Sequence, residues 1–527
     1  MKFLAKPLFI FLAFFIISNS IIGLKTPLTY RKDSRRAEVC REMSINRNWW
    51  NPTLLGEPFY TKPPLFYWLG TSIFIISGHD HPQLIRLIHI LSSIFLMGFL
   101  MYFFRHRLTK IQQAIMSLSL FSMYMFQLHM FSADLDMLMT LCCSVSFFCL
   151  SGYIQDFKKS HLIFGLIAFG FALLVKGPIS ILFTIFPVAV WIVFFKKWSF
   201  LKKIDWFTAL LMSGLCMIPW ALYTFRDVAL TTMINENGGP SSKLGAFPSL
   251  FYYFWNLLAC TLPWSIFLLF FCKEVWKKYS LYFIQILSAL FVMGLFPKHD
   301  IRYLLPVFPT IAVLFSFFYP QFQEIASKLR LFKITSLLFY LIYIFLAAII
   351  FYALYIFNPY YGILFLGIGL IFVAFWLYIL PKSFFCNHVV GLFFIFLSCN
   401  FILSIHGGGR MRQQFFELVK AKYPSEAIYS YEVLNWGASV QLDRVILRVE
   451  QHNLLQLLQE KKEILLLIMT DETKNKLSLP PYPHKVELSL RVNDYFHHVP
   501  MNQFPFNLIP RGDFQLIRIY LNTPQDI

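Results

Sequence analysis

The sequence predicts an all-α polytopic membrane protein with about thirteen transmembrane helices and a small extracytoplasmic α/β domain at its C-terminal end. Composition is the first reason: 57% of the 527 residues are hydrophobic and only 14% are charged, too few polar residues to cover a soluble protein. The second reason is that apolar stretches of about 20 residues, the length that crosses a bilayer, recur as far as residue 405. Charged residues then become frequent, which predicts a separate domain.

The connections between the apolar stretches alternate in their content of Lys and Arg. This bias places the N-terminus in the cytoplasm, and an odd number of spans then places the C-terminus outside. The first apolar stretch is long and no clear cleavage site follows it, so we expect an uncleaved span rather than a signal peptide. The predicted spans are residues 7–24, 84–104, 111–131, 134–154, 161–176, 178–195, 206–224, 251–271, 279–296, 303–320, 332–353, 360–380 and 387–405.

The formal net charge of +19 does not indicate a nucleic-acid-binding protein. Its basic residues form short clusters between spans, whereas a nucleic-acid footprint follows one face or one helix. Topology and contact with anionic membrane lipids explain the charge better. The predicted cytoplasmic clusters are Arg105/Arg107/Lys110, Lys158/Lys159, Lys196/Lys197/Lys202/Lys203, Lys273/Lys277/Lys278 and Lys328/Arg330/Lys333.

The nine cysteines predict neither a disulfide framework nor a cysteine-ligated metal. All except Cys40 lie in or beside apolar segments, and none forms a CxxC pair or a CxxC…HxxxH pattern.

The first outer loop, residues 25–83, is long for a connection between neighbouring spans, and long ordered loops commonly carry function. Its cations lie on the translocated side, against the usual orientation bias. Binding of an anion is a reason for cations to be kept there. These cations are Arg31, Lys32, Arg35, Arg36, Arg41, Arg47 and Lys62.

Three carboxylates of this loop fall on a short predicted helix. Glu38 and Glu42 are four residues apart, a spacing typical of a solvated, ion-paired helix face. Asp33 lies at the start of the helix, close to the end of the first span. It either accepts a proton from an attacking hydroxyl or caps the helix together with Ser34, and the sequence leaves both open.

Lys62 is followed by two prolines, which fix the local backbone and orient the ammonium group. A phosphate or diphosphate is the ligand that such a cation fits. The alternative is a lysine that extends along the membrane surface to reach water.

Further charged residues fall at the predicted outer ends of later spans. Asp134 and Asp136 begin the fourth span, and their alternation predicts that only one of them points inward. Lys176 opens a tight outer turn on the same side as Lys62. The segment 296–303 groups cations with a single His, which is more often a hydrogen-bonding residue than a metal ligand.

Residues 406–527 predict the α/β domain, since strand-like runs at 444–447 and 464–468 flank a helix-like segment, 450–462. A domain of roughly 120 residues is large enough to hold its own core. The glycine run 407–409 is predicted to be a linker, because no Lys-Ser/Thr pair follows it as in a phosphate-binding loop.

Short motifs follow one another in a fixed order over about residues 1–320. They are Lys32-Asp33, Arg35-Arg36-Ala37-Glu38, Arg41-Glu42-Met43, Trp49 or Trp50 with Pro52, Leu54 or Leu55 with Gly56, Lys62-Pro63-Pro64-Leu65-Phe66-Tyr67-Trp68, Arg86-Leu87, Asp136-Met137, Lys176-Gly177-Pro178, Pro263-Trp264-Ser265 and the segment from Lys298 to Pro306. The series resembles the lipid-phosphate-sugar glycosyltransferases of the 4-amino-4-deoxy-L-arabinose transferase and protein O-mannosyltransferase type, which have the GT-C fold.

The resemblance implies a sugar donor carried on a polyprenyl phosphate and inversion at the anomeric carbon. It also implies a multi-pass inner-membrane enzyme with its active site on the periplasmic side, and an acceptor that is lipid A, another envelope lipid or a protein hydroxyl. By position, it implies that Asp33 and Asp136 are catalytic. The residues that would bind the donor phosphate are Lys62, Arg35, Arg36, Arg86, Lys176, Lys298 and Arg302.

The chain departs from the family pattern at two positions. Aligned without a gap, Lys32 takes the place of the family's leading Asp, and a slip of one residue restores Asp33 to that place. Thr61 stands where several relatives carry Glu, so no metal ligand is assigned and a divalent cation is not supported. If the acceptor is a phosphate, a base is less needed, because the nucleophile is already ionised.

Two other functional classes stay open. A flippase or transporter of lipid-linked sugars would also need outer cations, but it is expected to show paired broken helices and charges near the bilayer midplane. Here the polar residues concentrate at one membrane face, which favours transfer chemistry at the interface. A non-catalytic membrane scaffold is the third class, which the substitution at Lys32 keeps open.

Overall fold

The computed structural model is mostly helical as far as residue 328 and contains a β-sheet with helices near its C-terminal end. The residues that the structure describes are 5–25, 28, 31–78, 81–224, 246–261, 264, 273–295, 300–328, 408–431, 439, 442–443, 446–449, 451–461, 463–471, 476–477, 484–490 and 514–520.

Sixteen α-helices are described, together with short 3-10 segments Pro82–Arg86, Gly177–Ile179, Trp198–Lys203 and Ile301–Val307. The α-helices are α1 (Ala5–Lys25), α2 (Arg31–Asn46), α3 (Leu65–Ser77), α4 (Leu87–Phe103), α5 (Lys110–Ser122), α6 (Tyr124–Met130), α7 (Asp136–Asp156), α8 (Lys159–Lys176), α9 (Ser180–Phe183), α10 (Ile185–Phe194), α11 (Trp206–Thr224), α12 (Ala246–Thr261), α13 (Lys273–Gly294), α14 (Phe308–Lys328), α15 (Gly408–Lys422) and α16 (Gln451–Lys461).

Four helical segments of the described part are long and apolar enough to cross a membrane, and they coincide with predicted spans. They are Pro82–Phe103, Asp136–Asp156, Lys159–Phe194 and Ile301–Gln321. Shorter apolar helices lie at Leu8–Ile17, Leu65–Ser77 and Lys278–Gly294. The spans predicted at 332–353, 360–380 and 387–405 lie outside the described residues.

One prediction about the N-terminal half is wrong in detail. The span predicted at 111–131 is broken, because Met123 has an extended backbone that ends α5 and starts α6. The first outer loop contains the predicted short helix, as part of α2, and also the apolar helix α3, which was not predicted. At 13 residues α3 is shorter than the length of about 20 that was used to recognise spans.

The hairpin of α7 and α8 brings the start of one helix beside the end of the other. The two helices contain 21 and 18 residues and pack against each other along their lengths. After α8 the chain turns at Gly177, whose φ of +78° lies in the left-handed region that favours glycine. Because α7 and α8 are antiparallel, Lys176, the last residue of α8, lies level with Asp136, the first residue of α7.

The chain forms two compact units. The first, here called the helical unit, comprises Met1–Ile21, Tyr60–Phe66 and Arg86–Asn400. The second, here called the loop unit, comprises Ile22–Phe59, Tyr67–Ile85 and Phe401–Ile527.

Most strands of the loop unit belong to one sheet near the C-terminal end, with strand order β4-β3-β5-β8-β7. β3 pairs in parallel with β4 and β5, whereas β8 pairs antiparallel with β5 and β7, and β6 pairs antiparallel with the end of β5. A separate hairpin joins β1 and β2 in the first loop. The strands are β1 (Thr53–Leu54), β2 (Glu57–Pro58), β3 (Ile428–Tyr431), β4 (Leu447–Val449), β5 (Glu463–Asp471), β6 (Lys476–Leu477), β7 (His484–Leu490) and β8 (Phe514–Tyr520).

The sheet is covered by a helix on each face, because successive side chains of a strand point to opposite sides. Leu465 and Leu467 of β5 share a core with α15, while Ile464 and Leu466 share a core with α16. The predicted order of strand, helix and strand is present as β4, α16 and β5. The predicted glycine linker is wrong in part, because α15 already begins at Gly408.

Candidate functional site

A buried group of acidic and basic side chains lies at the start of α7 in the helical unit. Asp136 is 2% exposed, and its Oδ1 accepts a hydrogen bond from the Lys176 ammonium group. The antiparallel hairpin of α7 and α8 produces this contact, since it places the two helix ends side by side. The carboxylate and the ammonium group form a buried ion pair.

Arg302, which lies in the 3-10 helix Ile301–Val307, contacts the carboxylates of Asp134 and Asp136. Its Nη1 lies 2.7 Å from Asp134 Oδ2 and 3.7 Å from Asp136 Oδ2. Its Nε lies 2.5 Å from the carboxylate of Asp300. Asp300 Oδ1 also accepts a hydrogen bond from the backbone N–H of Arg302 at 3.2 Å, which fixes the start of this helix.

Tyr303 forms an aromatic wall next to both cations. Its ring centroid lies 4.7 Å from Lys176 Nζ and 5.3 Å from Arg302 Cζ, within the range of a cation–π contact. We call these six residues the acid–base cluster, namely Asp134, Asp136, Lys176, Asp300, Arg302 and Tyr303.

The prediction that only one of the paired aspartates points inward is wrong. Asp134 is 6% exposed, and it contacts Arg302 as Asp136 does. The alternation argument fails because α7 begins only at Asp136. Asp134 lies in the non-helical segment before it, where its Oδ1 accepts the N–H of Leu135 at 2.9 Å.

Two histidines beside the acid–base cluster, His89 and His129, were not predicted. His89 is fully buried, and its Nδ1 lies 2.9 Å from the backbone oxygen of His129 and 3.1 Å from Ser132 Oγ. It therefore connects α4 with the end of α6 and the segment that leads to Asp134. The available signal was a polar residue within an apolar span, because such residues usually face the protein interior.

Asp33 lies in the first turn of α2 in the loop unit and is 3% exposed. A carboxylate at this position interacts favourably with the helix N-terminus. The next residue, Ser34, donates a hydrogen bond from Oγ to the backbone oxygen of Leu28 at 3.1 Å, which attaches the start of α2 to the chain before it.

Two predicted phosphate-binding arginines follow on α2 and pack against aromatic rings. Arg36 is buried, donates a hydrogen bond to the Tyr67 hydroxyl and lies 5.9 Å from the ring centroid of Phe59. Arg35 is half-buried, with its Cζ 5.5 Å from the same ring. The ring of Phe59 thus lies between α2 and α3.

Glu38 and Arg41 form a bidentate ion pair inside the loop unit. Arg41 Nη2 and Nε lie 2.7 and 2.9 Å from the two carboxylate oxygens, and its Nη1 lies 3.3 Å from Asp443 Oδ1. Burial raises the pKa of Glu38 from 4.5 to about 7, although Arg41 acts in the opposite direction. The contact of Arg41 with Asp443 links the first loop to the C-terminal segment.

The expectation of a solvated helix face for Glu38 and Glu42 is wrong, since both are buried. Glu42 accepts hydrogen bonds from the N–H groups of Leu55 and Gly56 at 2.6 and 3.1 Å, in the turn between β1 and β2. It also accepts one from the Thr53 hydroxyl at 2.5 Å. These contacts give Glu42 a structural role.

The remaining predicted phosphate-binding residues fall in different places. Lys62 is half-buried in a bend before α3, and the two prolines after it are buried. Arg86 is buried at the end of a 3-10 helix, directly before α4. Both belong to the helical unit, whereas Asp33, Arg35 and Arg36 belong to the loop unit. Lys298 lies outside the described residues.

The structure thus brings together Asp136, Lys176 and Arg302 from the predicted site, and it adds Asp134, Asp300 and Tyr303. In the part of the chain that the structure describes, no three His, Cys, Asp or Glu residues are grouped as a metal site requires.

Residues 61–223 match the family model described as dolichyl-phosphate-mannose-protein mannosyltransferase. The chain is 26% identical over 352 residues to undecaprenyl phosphate-alpha-4-amino-4-deoxy-L-arabinose arabinosyl transferase from Wigglesworthia glossinidia brevipalpis. It is 24% identical over 334 residues to undecaprenyl phosphate-alpha-4-amino-4-deoxy-L-arabinose arabinosyl transferase 1 from Proteus mirabilis. These matches cover 61% and 59% of this chain and the same shares of the two relatives.

Two crystal structures of ArnT from Cupriavidus metallidurans are also similar. The one bound to undecaprenyl phosphate has a TM-score of 0.71 and 15% sequence identity, and the match covers 96% of this chain and 97% of that one. The apo structure has a TM-score of 0.68 and 16% identity, covering 87% and 92%. The chain has the ArnT fold. The resemblance to membrane glycosyltransferases that the motifs predict is therefore confirmed.

Only some of the predicted site residues lie within the part of the chain that matches the family model. Lys62, Arg86, Asp136 and Lys176 lie within residues 61–223. Asp33 and Arg302 lie outside that range, so they depend on the motif order and on the contacts described above.

Proposed function

We propose that this protein is an inner-membrane glycosyltransferase that moves a sugar from a polyprenyl-phosphate donor to an acceptor, with inversion, at the outer membrane face. The observation that carries the proposal is the buried ion pair of Asp136 and Lys176 in a chain of the ArnT fold. Burying a charge pair costs desolvation free energy, and such groups are commonly found at functional sites.

The relatives support the class of donor. The names of the Wigglesworthia and Proteus relatives specify undecaprenyl phosphate as carrier of an aminoarabinose. For this chain we propose a donor with the same kind of carrier. The motif resemblance adds lipid A, another envelope lipid or a protein hydroxyl as the acceptor.

In the proposed step, an acceptor oxygen attacks the anomeric carbon while the bond between that carbon and the donor phosphate oxygen breaks. The electron pair of the broken bond stays on the departing lipid phosphate. If the acceptor is a neutral hydroxyl, its proton passes to the carboxylate of Asp33. If the acceptor is a phosphate, it is already ionised, and Asp33 then acts as an electrostatic anchor.

We assign the donor phosphate to cations of the first loop and of the span ends, because a departing phosphate needs positive charge. These are Lys62, Arg35, Arg36, Arg86 and Lys298, with Lys176 and Arg302 as further contacts. Lys176 and Arg302 also form ion pairs with Asp136 and Asp134. They can therefore donate to the phosphate only through N–H groups that are not already bound to these carboxylates.

The proposed architecture has about thirteen transmembrane helices in residues 1–405 and an extracytoplasmic α/β domain in residues 406–527. The active site and the C-terminus then lie on the periplasmic side. The sheet with a helix on each face supports the α/β assignment.

A turnover experiment tests this function. The purified protein is reconstituted in nanodiscs with lipid A and a panel of undecaprenyl-phosphate sugars that includes aminoarabinose, and released undecaprenyl phosphate is measured by mass spectrometry. We expect release with at least one donor and its loss in Asp136→Asn. The matched control is Asp156→Asn at the other end of α7, which is exposed and should turn over normally.

The same experiment separates the other two classes. A flippase would move the labelled donor across the bilayer without cleaving it, and a scaffold would neither move nor cleave it. Either result, obtained with every donor and acceptor of the panel, would replace the transferase proposal.

A further inference from the structure

A polar cavity lies in the helical unit, far from the acid–base cluster. Its volume is about 600 Å³, within the range of pockets that hold organic ligands. Five helical segments and the loop before α5 contribute to its walls. Its polar lining includes Arg107, Lys278, Ser151, Gln155, Trp191 and Ser280.

The cavity and the acid–base cluster lie at opposite ends of α7. Asp136 begins this helix, whereas Gln155 is its penultimate residue. At 1.5 Å per residue, the two positions are roughly 28 Å apart along the helix axis, close to the thickness of the apolar bilayer core. Because α7 is long and apolar enough to span a membrane, we infer that the cavity lies at the membrane face opposite to the acid–base cluster.

Two cations of the cavity have no acidic partner among the described residues. Arg107 lies over the ring of Phe103, 5.8 Å from its centroid, and Lys278 lies over the ring of Tyr279 at 5.3 Å. Both side chains are exposed and belong to different elements, the turn after α4 and the helix α13. Their positive charge is therefore available to an anion inside the cavity.

The wall also offers a hydroxyl donor, that of Ser280. Ser280 Oγ accepts the indole N–H of Trp191 at 3.0 Å, so its own proton is left for a ligand. The backbone of α13 breaks at Tyr279, where φ is −120° and ψ is 19°, and a new helical run starts at Ser280. The positive end of this run adds to the charge of Lys278.

We propose that this cavity binds the phosphate of an anionic glycerophospholipid headgroup, at the membrane face opposite to the acid–base cluster. The volume is several times that of a phosphate, and the wall contains Trp191 and Phe317, which suit the glycerol and first acyl carbons. The flanking connections carry the basic clusters that attract anionic lipid. This inference does not depend on the proposed glycosyl transfer.

Binding of short-chain phosphatidylglycerol to delipidated full-length protein in detergent tests the proposal, with phosphatidylcholine and inorganic phosphate as comparison ligands. The variant is Arg107→Gln/Lys278→Gln, and its matched control is Arg105→Gln/Lys110→Gln, two exposed cations outside the cavity. We expect the double cavity variant to bind phosphatidylglycerol about 30-fold more weakly, roughly fivefold for each cation. The control should bind as the unmodified protein does.

A blocking variant keeps the test valid if the charge change harms folding. Gln155→Trp keeps both cations and adds an indole ring to an exposed position of the wall, so it should abolish binding. Equal affinity of the cavity and control variants would overturn the proposal. So would binding of inorganic phosphate without phosphatidylglycerol, or phosphatidylcholine affinity equal to that for phosphatidylglycerol.

Discussion

Lys176 and Asp136 are hydrogen-bonded to each other although 40 positions separate them in the chain. One is the last residue of α8 and the other is the first residue of α7. An acid at a helix N-terminus and a base at a helix C-terminus each interact favourably with the helix dipole. The pair therefore stabilises the open end of the hairpin, opposite the turn that joins the two helices, as well as supplying charge to the proposed active site.

Breaking this pair on one side should harm both stability and turnover. Asp136→Asn leaves Lys176 without its buried carboxylate, and we expect a loss of about 3 kcal/mol in the free energy of unfolding. Turnover should fall at least about 100-fold, as for the loss of a preorganised charge. Thermal unfolding and release of undecaprenyl phosphate measure the two effects.

The control for this prediction replaces both partners. Asp136→Asn/Lys176→Met removes the unpaired charge, so it should regain much of the stability while turnover stays low. Lys159→Gln at the other end of α8 is the matched single change, and it should leave turnover intact. A double variant with full turnover would show that the pair is only structural.

Substitution of Asp33 tests the proposed base. Asp33→Asn keeps the shape of the side chain but cannot accept a proton, so turnover with a hydroxyl acceptor should fall about 100- to 10,000-fold. With a phosphate acceptor the loss should be smaller, because no proton is transferred. Glu57→Gln, an exposed acid of the same unit, is the control. Equal turnover of Asp33→Asn and the control with a hydroxyl acceptor would remove the assignment.

Much of the fold could be predicted because spans are recognised by local composition. The hydropathy of single segments predicts α4, α7 and α14 without knowledge of their neighbours. Helix α3 escaped because 13 apolar residues fall below the length of a full span. Composition also does not indicate the extended backbone of Met123, which breaks a single predicted span into two helices.

The members of the candidate site could be predicted more readily than their contacts. The motif order singled out Asp136, Lys176 and Arg302 one by one, yet their meeting depends on helix lengths and, for Lys176, on the turn at Phe157 between α7 and α8. The contact of Arg41 with Asp443 joins positions 402 apart, and no local pattern predicts it. Such contacts are properties of the packed chain.

The stability of the loop unit should depend on the ionisation of Glu38. Burial raises the pKa of Glu38 to about 7 in the folded protein, whereas the unfolded chain loses this proton near pH 4.5. Between these two values the folded protein binds more protons, so its stability falls as the pH rises and levels off above about pH 7. Unfolding temperature between pH 4 and 8, followed by tryptophan fluorescence, measures the trend.

Glu38→Gln removes the titrating group and should flatten this part of the pH profile. Glu57→Gln changes the same charge at an exposed position and should keep the slope. A profile of Glu38→Gln that still falls as steeply as that of the unmodified protein would assign the effect to other groups.

The close approach of α2 and α3 requires a glycine at position 70. A Cβ atom there would clash with the sulfur of Cys40 and lie 3.2 Å from Ile85 Cδ1. Gly70→Ala should therefore cost about 1 to 3 kcal/mol in the free energy of unfolding, as overpacked cores do. Gly98→Ala in α4 is the matched control, because nothing lies within 4 Å of its added Cβ.

A compensating change decides whether Cys40 is the cause. Cys40→Ala removes the sulfur atom, so Gly70→Ala/Cys40→Ala should be more stable than Gly70→Ala alone, while Cys40→Ala by itself loses packing. Thermal unfolding of the four proteins forms a double-mutant cycle. If the two losses simply add, the clash lies elsewhere, and the packing of α2 on α3 through Gly70 and Cys40 is not what holds these helices together.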